Sequence, residues 1–105
     1  MSKRRVVITG MGAVTPLGNS VDSTWQALLA GKSGIGPIER FDVTDFKTQF
    51  GGSIKNLDIN LYMSLKDSRK YDDFILYGIA AAEQAIAESG IEITDQNAPR
   101  IGTII

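Results

Sequence analysis

"VVITGMGAVTPLGNS", residues 6–20, opens with apolar, mostly β-branched residues and then sets two glycines two positions apart. A strand running into such a turn is how a dinucleotide-binding fold begins, so the reading of this stretch decides which α/β architecture follows. A nicotinamide or flavin site needs a third glycine three positions after the second. It also needs a helix starting inside the glycine stretch, so that its first N–H groups face the pyrophosphate. Here Gly10 and Gly12 are followed by Thr15 and Pro16. Proline fixes its own φ and drives the residue before it out of the helical region, so no helix starts where a pyrophosphate would lie. The acidic residue expected about 20 positions further on, for a ribose hydroxyl, has only Glu39 and Asp42 as its nearest matches. The fingerprint is incomplete, and the glycines read as a tight exit from a strand into a loop.

Working outward, residues 5–9 predict a strand of a parallel sheet covered on both faces, because the apolar run is continuous rather than alternating. Asn19 is the expected cap of a helix whose apolar stripe is Val21, Trp25, Leu28 and Leu29 and whose stop is Gly31. Trp25 on that stripe is expected in the core. Gly34, Gly36 and Pro37 suggest a turn, "IERFD" a short extended piece, and "TQFGGSIK" a strand bent at Gly51 and Gly52. A helical turn is expected around residues 61–64. The strongest pattern is a helix from 67 or 68 to 89, with Ile75, Ile79, Ala82 and Ile86 at helical spacing. Phe74, Gly78, Ala81 and Ala85 widen its apolar face, and Gly90 is placed to end it. "RIGTII" reads as a second buried strand after a polar loop. The order is strand, helix, irregular or β insertion, long helix, strand, which is an α/β pattern. The last strand leaves an apolar edge uncovered, so the chain is expected to belong to a longer one.

Composition limits the chemistry. The chain has 105 residues, 43% of them hydrophobic, and a net charge of −1. That suits one small domain and supplies no field to recruit nucleic acid or a membrane surface. No apolar run approaches the roughly 18 residues of a membrane span. Lys3, Arg4 and Arg5 lead straight into the first strand rather than a signal-peptide core; the chain reads as soluble and cytoplasmic. With no cysteine and no histidine, it has no thiolate nucleophile, no imidazole base and no Cys- or His-based metal site. Asp72 and Asp73 are adjacent and therefore diverge around a helix, so they make no catalytic carboxylate pair. Arg40 and Asp42 are read as a local ion pair.

"KRRVVITGMGAVTPLGNSVDSTWQALLAGKSGI", "RFD", "RKYDDFILYGIAAAEQAIAESGIEI" and "RIGTII" together resemble the N-terminal part of the bacterial beta-ketoacyl-acyl carrier protein synthases of type II. These are the condensing enzymes of fatty acid elongation, and the resemblance runs along essentially the whole chain. It implies the N-terminal part of a thiolase-like α/β/α/β/α fold, incomplete in this chain, with residues 1–105 forming the first segment of the first thiolase-like half. It implies a homodimeric enzyme without a cofactor or metal. An acyl chain passes from acyl carrier protein to a cysteine, malonyl-acyl carrier protein is decarboxylated, and the carbanion attacks the thioester. The cysteine and two assisting histidines fall beyond Ile105, so this segment alone is expected to be inactive and poorly folded. The resemblance also assigns Lys66, Arg69 and Lys70 to a basic cluster that meets the acidic helix of acyl carrier protein. Their spacing of three and four puts them on one face if the long helix extends back that far. In the first turn of that helix they would oppose its macrodipole, with Asp67, Asp72 and Asp73 offsetting part of the cost. The alternative is a non-catalytic homologue that keeps the scaffold and binds carrier protein, like the chain-length factors of polyketide synthases.

Overall fold

Ser20 is extended, and its hydroxyl accepts from the Ser23 N–H at 3.1 Å while the Ser23 hydroxyl accepts from the Ser20 N–H at 3.1 Å. This reciprocal box satisfies two of the donors that a helix start leaves open. Helix α1 (Val21–Leu29) begins there. The cap is thus Ser20 and not Asn19, whose side-chain amide donates instead to the Lys55 carbonyl at 2.9 Å. The computed structural model describes residues 2–105. After Gly31, left-handed at φ +70, strand β1 (Ile35–Pro37) pairs antiparallel with β2 (Phe50–Gly52), Ile35 facing Gly52 and Pro37 facing Phe50. The Gly-Pro stretch read as a turn is therefore a strand. In a two-stranded ribbon every strand is an edge, and an edge tolerates a proline without an N–H.

The long helix predicted from 67 or 68 is split in two. A 3-10 turn (Ile59–Leu61) leads to the short helix α2 (Leu65–Ser68), and α3 (Asp73–Ser89) follows after a turn. Local side chains cause the break. Ser64 caps α2 by accepting from the Asp67 N–H, the Ser68 hydroxyl donates to the Leu65 carbonyl at 2.7 Å, and Asp72 leaves the helical region at φ −68, ψ 157. Serine side chains offer the backbone alternatives to a continuing helix, Asp72 leaves it with no side-chain cap bond, and periodicity of the apolar residues registers neither. Gly90 ends α3 in the left-handed conformation at φ 67, as its position predicts. A last 3-10 turn spans Ala98–Arg100.

The two predicted buried strands are not paired. Val6 is 95% exposed and Ile104 98%, and among the described residues the only sheet is β1–β2. A strand is completed by neighbours that take up its N–H and C=O groups; among the described residues no other strand pairs with 5–9 or 101–105. Trp25 is likewise on the surface rather than in a core. Among the described residues Ala27 and Ala80 are the buried apolar ones, and no large side chain is fully enclosed. The accessible surface is 9045 Å², against about 5,800 Å² for a compact protein of this mass. The radius of gyration is 17.6 Å, against about 13 Å for a compact domain of this length. The apolar faces needed for a core are present and point outward.

Candidate docking surface

The glycine stretch lies flat on α3. A methyl added at Gly10 would collide with the Ala85 carbonyl and come within 2.8 Å of the Ser89 N–H nitrogen; one added at Gly12 would collide with the Ala81 carbonyl. Ala81 and Ala85 are one helical turn apart, so the loop tracks a single row of small residues, and only a chain without Cβ atoms comes this close. Several of its backbone donors are occupied by the chain itself. The Leu17 and Gly18 N–H groups donate to the Thr15 hydroxyl at 3.1 and 3.2 Å, and the Ala13 N–H donates to Gln84 Oε1 at 3.1 Å. No helix starts inside the stretch. The glycines serve helix packing, their open faces being taken by Ala81, Ala85 and Ser89 of α3.

Gln84, which hydrophobic periodicity passes over, is the hub of this region. Besides accepting from Ala13, it uses both amide hydrogens, donating to the Asn19 carbonyl at 2.7 Å and to the Tyr62 hydroxyl at 3.0 Å. Three of its four hydrogen-bonding positions are thereby filled. Polar character within an otherwise apolar and small-residue helix face was the available signal. Through Tyr62 this hub reaches the 3-10 turn Ile59–Leu61, which packs on α2.

Lys66, Arg69 and Lys70 all sit on α2 or its exit, and all are exposed. Lys66 is in the last turn, Arg69 is the C-cap, and the Lys70 ammonium pairs with Asp67 at 3.2 Å. Among the described residues, neither Lys66 nor Arg69 has an acidic side chain within ion-pair distance. The expectation that these cations oppose the macrodipole of the long helix is corrected: none lies in the first turn of α3, Lys66 is inside the one-turn α2, and Arg69 and Lys70 follow its last residue, where positive charge is favourable. Backbone bonds from the Arg69, Lys70 and Tyr71 N–H groups back to Leu65, Asp67 and Ser68 carry the helical turn past its last residue. The three cations therefore belong to one short, locally hydrogen-bonded unit.

On the other side of α3's start, an open groove of about 830 Å³ runs between the β1–β2 ribbon and the helix, lined by Ile38, Phe41, Ile54, Asp73 and Tyr77 among others. Arg40 pairs there with Asp73 and not with Asp42. Asp42 accepts from both the hydroxyl and the N–H of Thr44, and these bonds, the hydroxyl's first, hold its carboxyl below the ordinary value. Among the described residues no group of acidic side chains is arranged to hold a metal ion. Among the described residues no helix is long and apolar enough to cross a membrane.

The family model described as "Beta-ketoacyl synthase, N-terminal domain" matches residues 3–105. The chain belongs to the beta-ketoacyl synthase family. Its relatives include proteins named 3-oxoacyl-[acyl-carrier-protein] synthase 2 from Vibrio cholerae, 59% identical over 105 residues, and from Coxiella burnetii, 52% identical over 105 residues. A Staphylococcus aureus protein of the same name is 41% identical over 102 residues. Each match covers 97–100% of this chain and 25% of the relative, so the chain spans about a quarter of their length. A solved structure titled "The ishigamide ketosynthase/chain length factor" superposes with a TM-score of 0.74 at 30% identity, over 87% of this chain and 23% of that one. The resemblance read in the sequence is borne out. The α/β elements of this beta-ketoacyl synthase segment are the N-terminal part of the thiolase-like ketosynthase fold, incomplete in this chain.

Proposed function

We propose that these residues are the N-terminal quarter of a 3-oxoacyl-acyl carrier protein synthase, an acyltransferase that condenses acyl- and malonyl-acyl carrier protein to 3-oxoacyl-acyl carrier protein with loss of CO₂. The observation that carries this reading is identity of up to 59% along the whole chain with relatives of that name. The chain contains no cysteine and no histidine, so the nucleophile and the groups that assist decarboxylation come from outside it. Its own part is scaffold and docking. In this reading residues 1–105 are the first segment of the first thiolase-like half, and the complete enzyme is a cytoplasmic homodimer.

The docking role falls to Lys66, Arg69 and Lys70. Exposed cations on one rigid turn attract an acidic partner, raise the rate of encounter and lose influence with salt. Lys66 and Arg69 carry most of the effect, because Lys70 is already paired with Asp67. In the full-length enzyme, Lys66→Glu or Arg69→Glu raises KM for carrier-protein substrates by roughly two- to tenfold at low salt and leaves small acyl-thioester analogues unaffected. Equal losses on both substrate types would refute docking and indicate a folding defect. The ketosynthase/chain length factor match favours one second reading, a non-catalytic homologue that retains the docking face. Alkylation of the full-length protein with a thiol-directed acyl analogue separates the two, since only the enzyme has a reactive cysteine.

A further inference from the structure

Residues 58–71 are shaped by their own short-range bonds. Asp58 accepts from the Asn60 N–H at 3.1 Å, and the Ile59 carbonyl accepts from the Tyr62 and Met63 N–H groups at 3.0 Å each. Ser64 caps α2 at Asp67, and Asp67 in turn takes the Lys70 N–H on its carbonyl at 3.1 Å and the Lys70 ammonium on its carboxylate. Among the described residues a single hydrogen bond leaves this stretch, from Gln84 Nε2 to the Tyr62 hydroxyl. Local bonds give the basic unit its form but say nothing about where it stands on the body of the molecule. Gln84 can supply that position because its amide is itself held at two other points, by the Ala13 N–H and the Asn19 carbonyl. Rotating it to release Tyr62 breaks both.

We propose that Tyr62 is a positioning residue for carrier-protein recognition: its bond to Gln84 fixes the orientation in which Lys66 and Arg69 are presented. This rests on the docking reading given above. Lys66 and Arg69 follow Tyr62 within the same locally bonded stretch, joined to it by the Ser64 cap of α2, so a rotation about Tyr62 moves both cations together. Exposed charges steer a partner only while their arrangement matches its own. A unit free to swing averages that match away without losing any charge.

The experiment compares Tyr62→Phe with Lys66→Glu in the full-length enzyme, using an acyl-acyl carrier protein and an acyl-pantetheine thioester as substrates. Hydrogen exchange is followed at the amides of residues 65–71. Tyr62→Phe keeps the ring and removes one neutral hydrogen bond, so KM for the carrier-protein substrate rises roughly two- to tenfold, the range such a bond supports. kcat and the thioester KM stay unchanged, exchange across 65–71 quickens, and the salt dependence of KM persists because the cations remain. If Lys66→Glu raises KM and Tyr62→Phe does not, docking stands and the positioning role is overturned. Unchanged exchange in Tyr62→Phe overturns it independently of any kinetics, and so does an equal loss on both substrates. If neither variant alters KM, the docking reading fails and the positioning role falls with it.

Discussion

Gly12 has no room for a methyl group. Its would-be Cβ meets the backbone of α3 at Ala81, including a carbonyl carbon 2.8 Å away, and backbone within a helix cannot step aside as a flexible side chain can. Gly12→Ala therefore destabilises the full-length synthase by about 1–3 kcal/mol, read as a lowered thermal midpoint with the helix content retained; an unchanged midpoint would show that the loop does not bear on α3. Asp42 offers a test of a different kind. Its carboxyl is held below the ordinary value of 3.8 by the Thr44 hydroxyl first and the Thr44 N–H second. A depressed carboxyl stabilises its turn above that ordinary value and loses the contribution as pH falls through the lowered one. Thr44→Val removes the larger cause, so an NMR titration of Asp42 moves upward toward 3.8; a downward or absent shift contradicts the assignment. Neither effect is visible in composition. The glycine spacing announced a turn, but only the packing identified what the turn approaches.

Among the elements, α1 is held at its start by two serines and at its end by Gly31. Ser20→Ala removes the acceptor of the Ser23 N–H and costs about 1 kcal/mol, measured by denaturant unfolding of the full-length protein; Asn19→Ala leaves that cap in place. The existence of α1 and of the long helix was legible from apolar spacing, as were the glycine stops at 31 and 90. The break between α2 and α3 was not, although Ser64, Ser68 and Asp72 were all in view. The two serines turn their side chains back to the backbone and Asp72 departs through its own backbone angles, and the spacing of apolar positions is blind to both. The consequence for the basic residues is direct. Lys66, Arg69 and Lys70, expected on one face of the long helix, lie on α2 and its exit rather than in the first turn of α3.

For the whole molecule the decisive quantity is exposed surface. An accessible area of 9045 Å² exceeds that of a compact protein of this mass by roughly 3,000 Å², and Val6, Ile8, Ile104, Ile105, Trp25, Leu28 and Leu29 are among the exposed apolar residues. Burial of apolar area is the main favourable contribution to folding, so a chain that leaves this much exposed has little to offset its conformational entropy. The isolated 105-residue polypeptide is predicted to bind a hydrophobic dye, to melt without a sharp calorimetric transition and to show no condensation of acyl thioesters. A single cooperative transition would mean that α1, the ribbon and α3 make a core that this structure lacks.

The sequence by itself determined the α/β class, the helix-forming stretches, the absence of a thiol or imidazole, and the kinship with the beta-ketoacyl synthases, because these depend on residue types and their spacing. Tertiary structure decided what the glycines approach, where the basic residues stand, that Gln84 joins three segments, and that two strand-forming sequences remain unpaired. Those outcomes depend on neighbours distant in the chain. A β-branched run prefers an extended backbone wherever it lies, but it becomes a strand only when another segment accepts its hydrogen bonds.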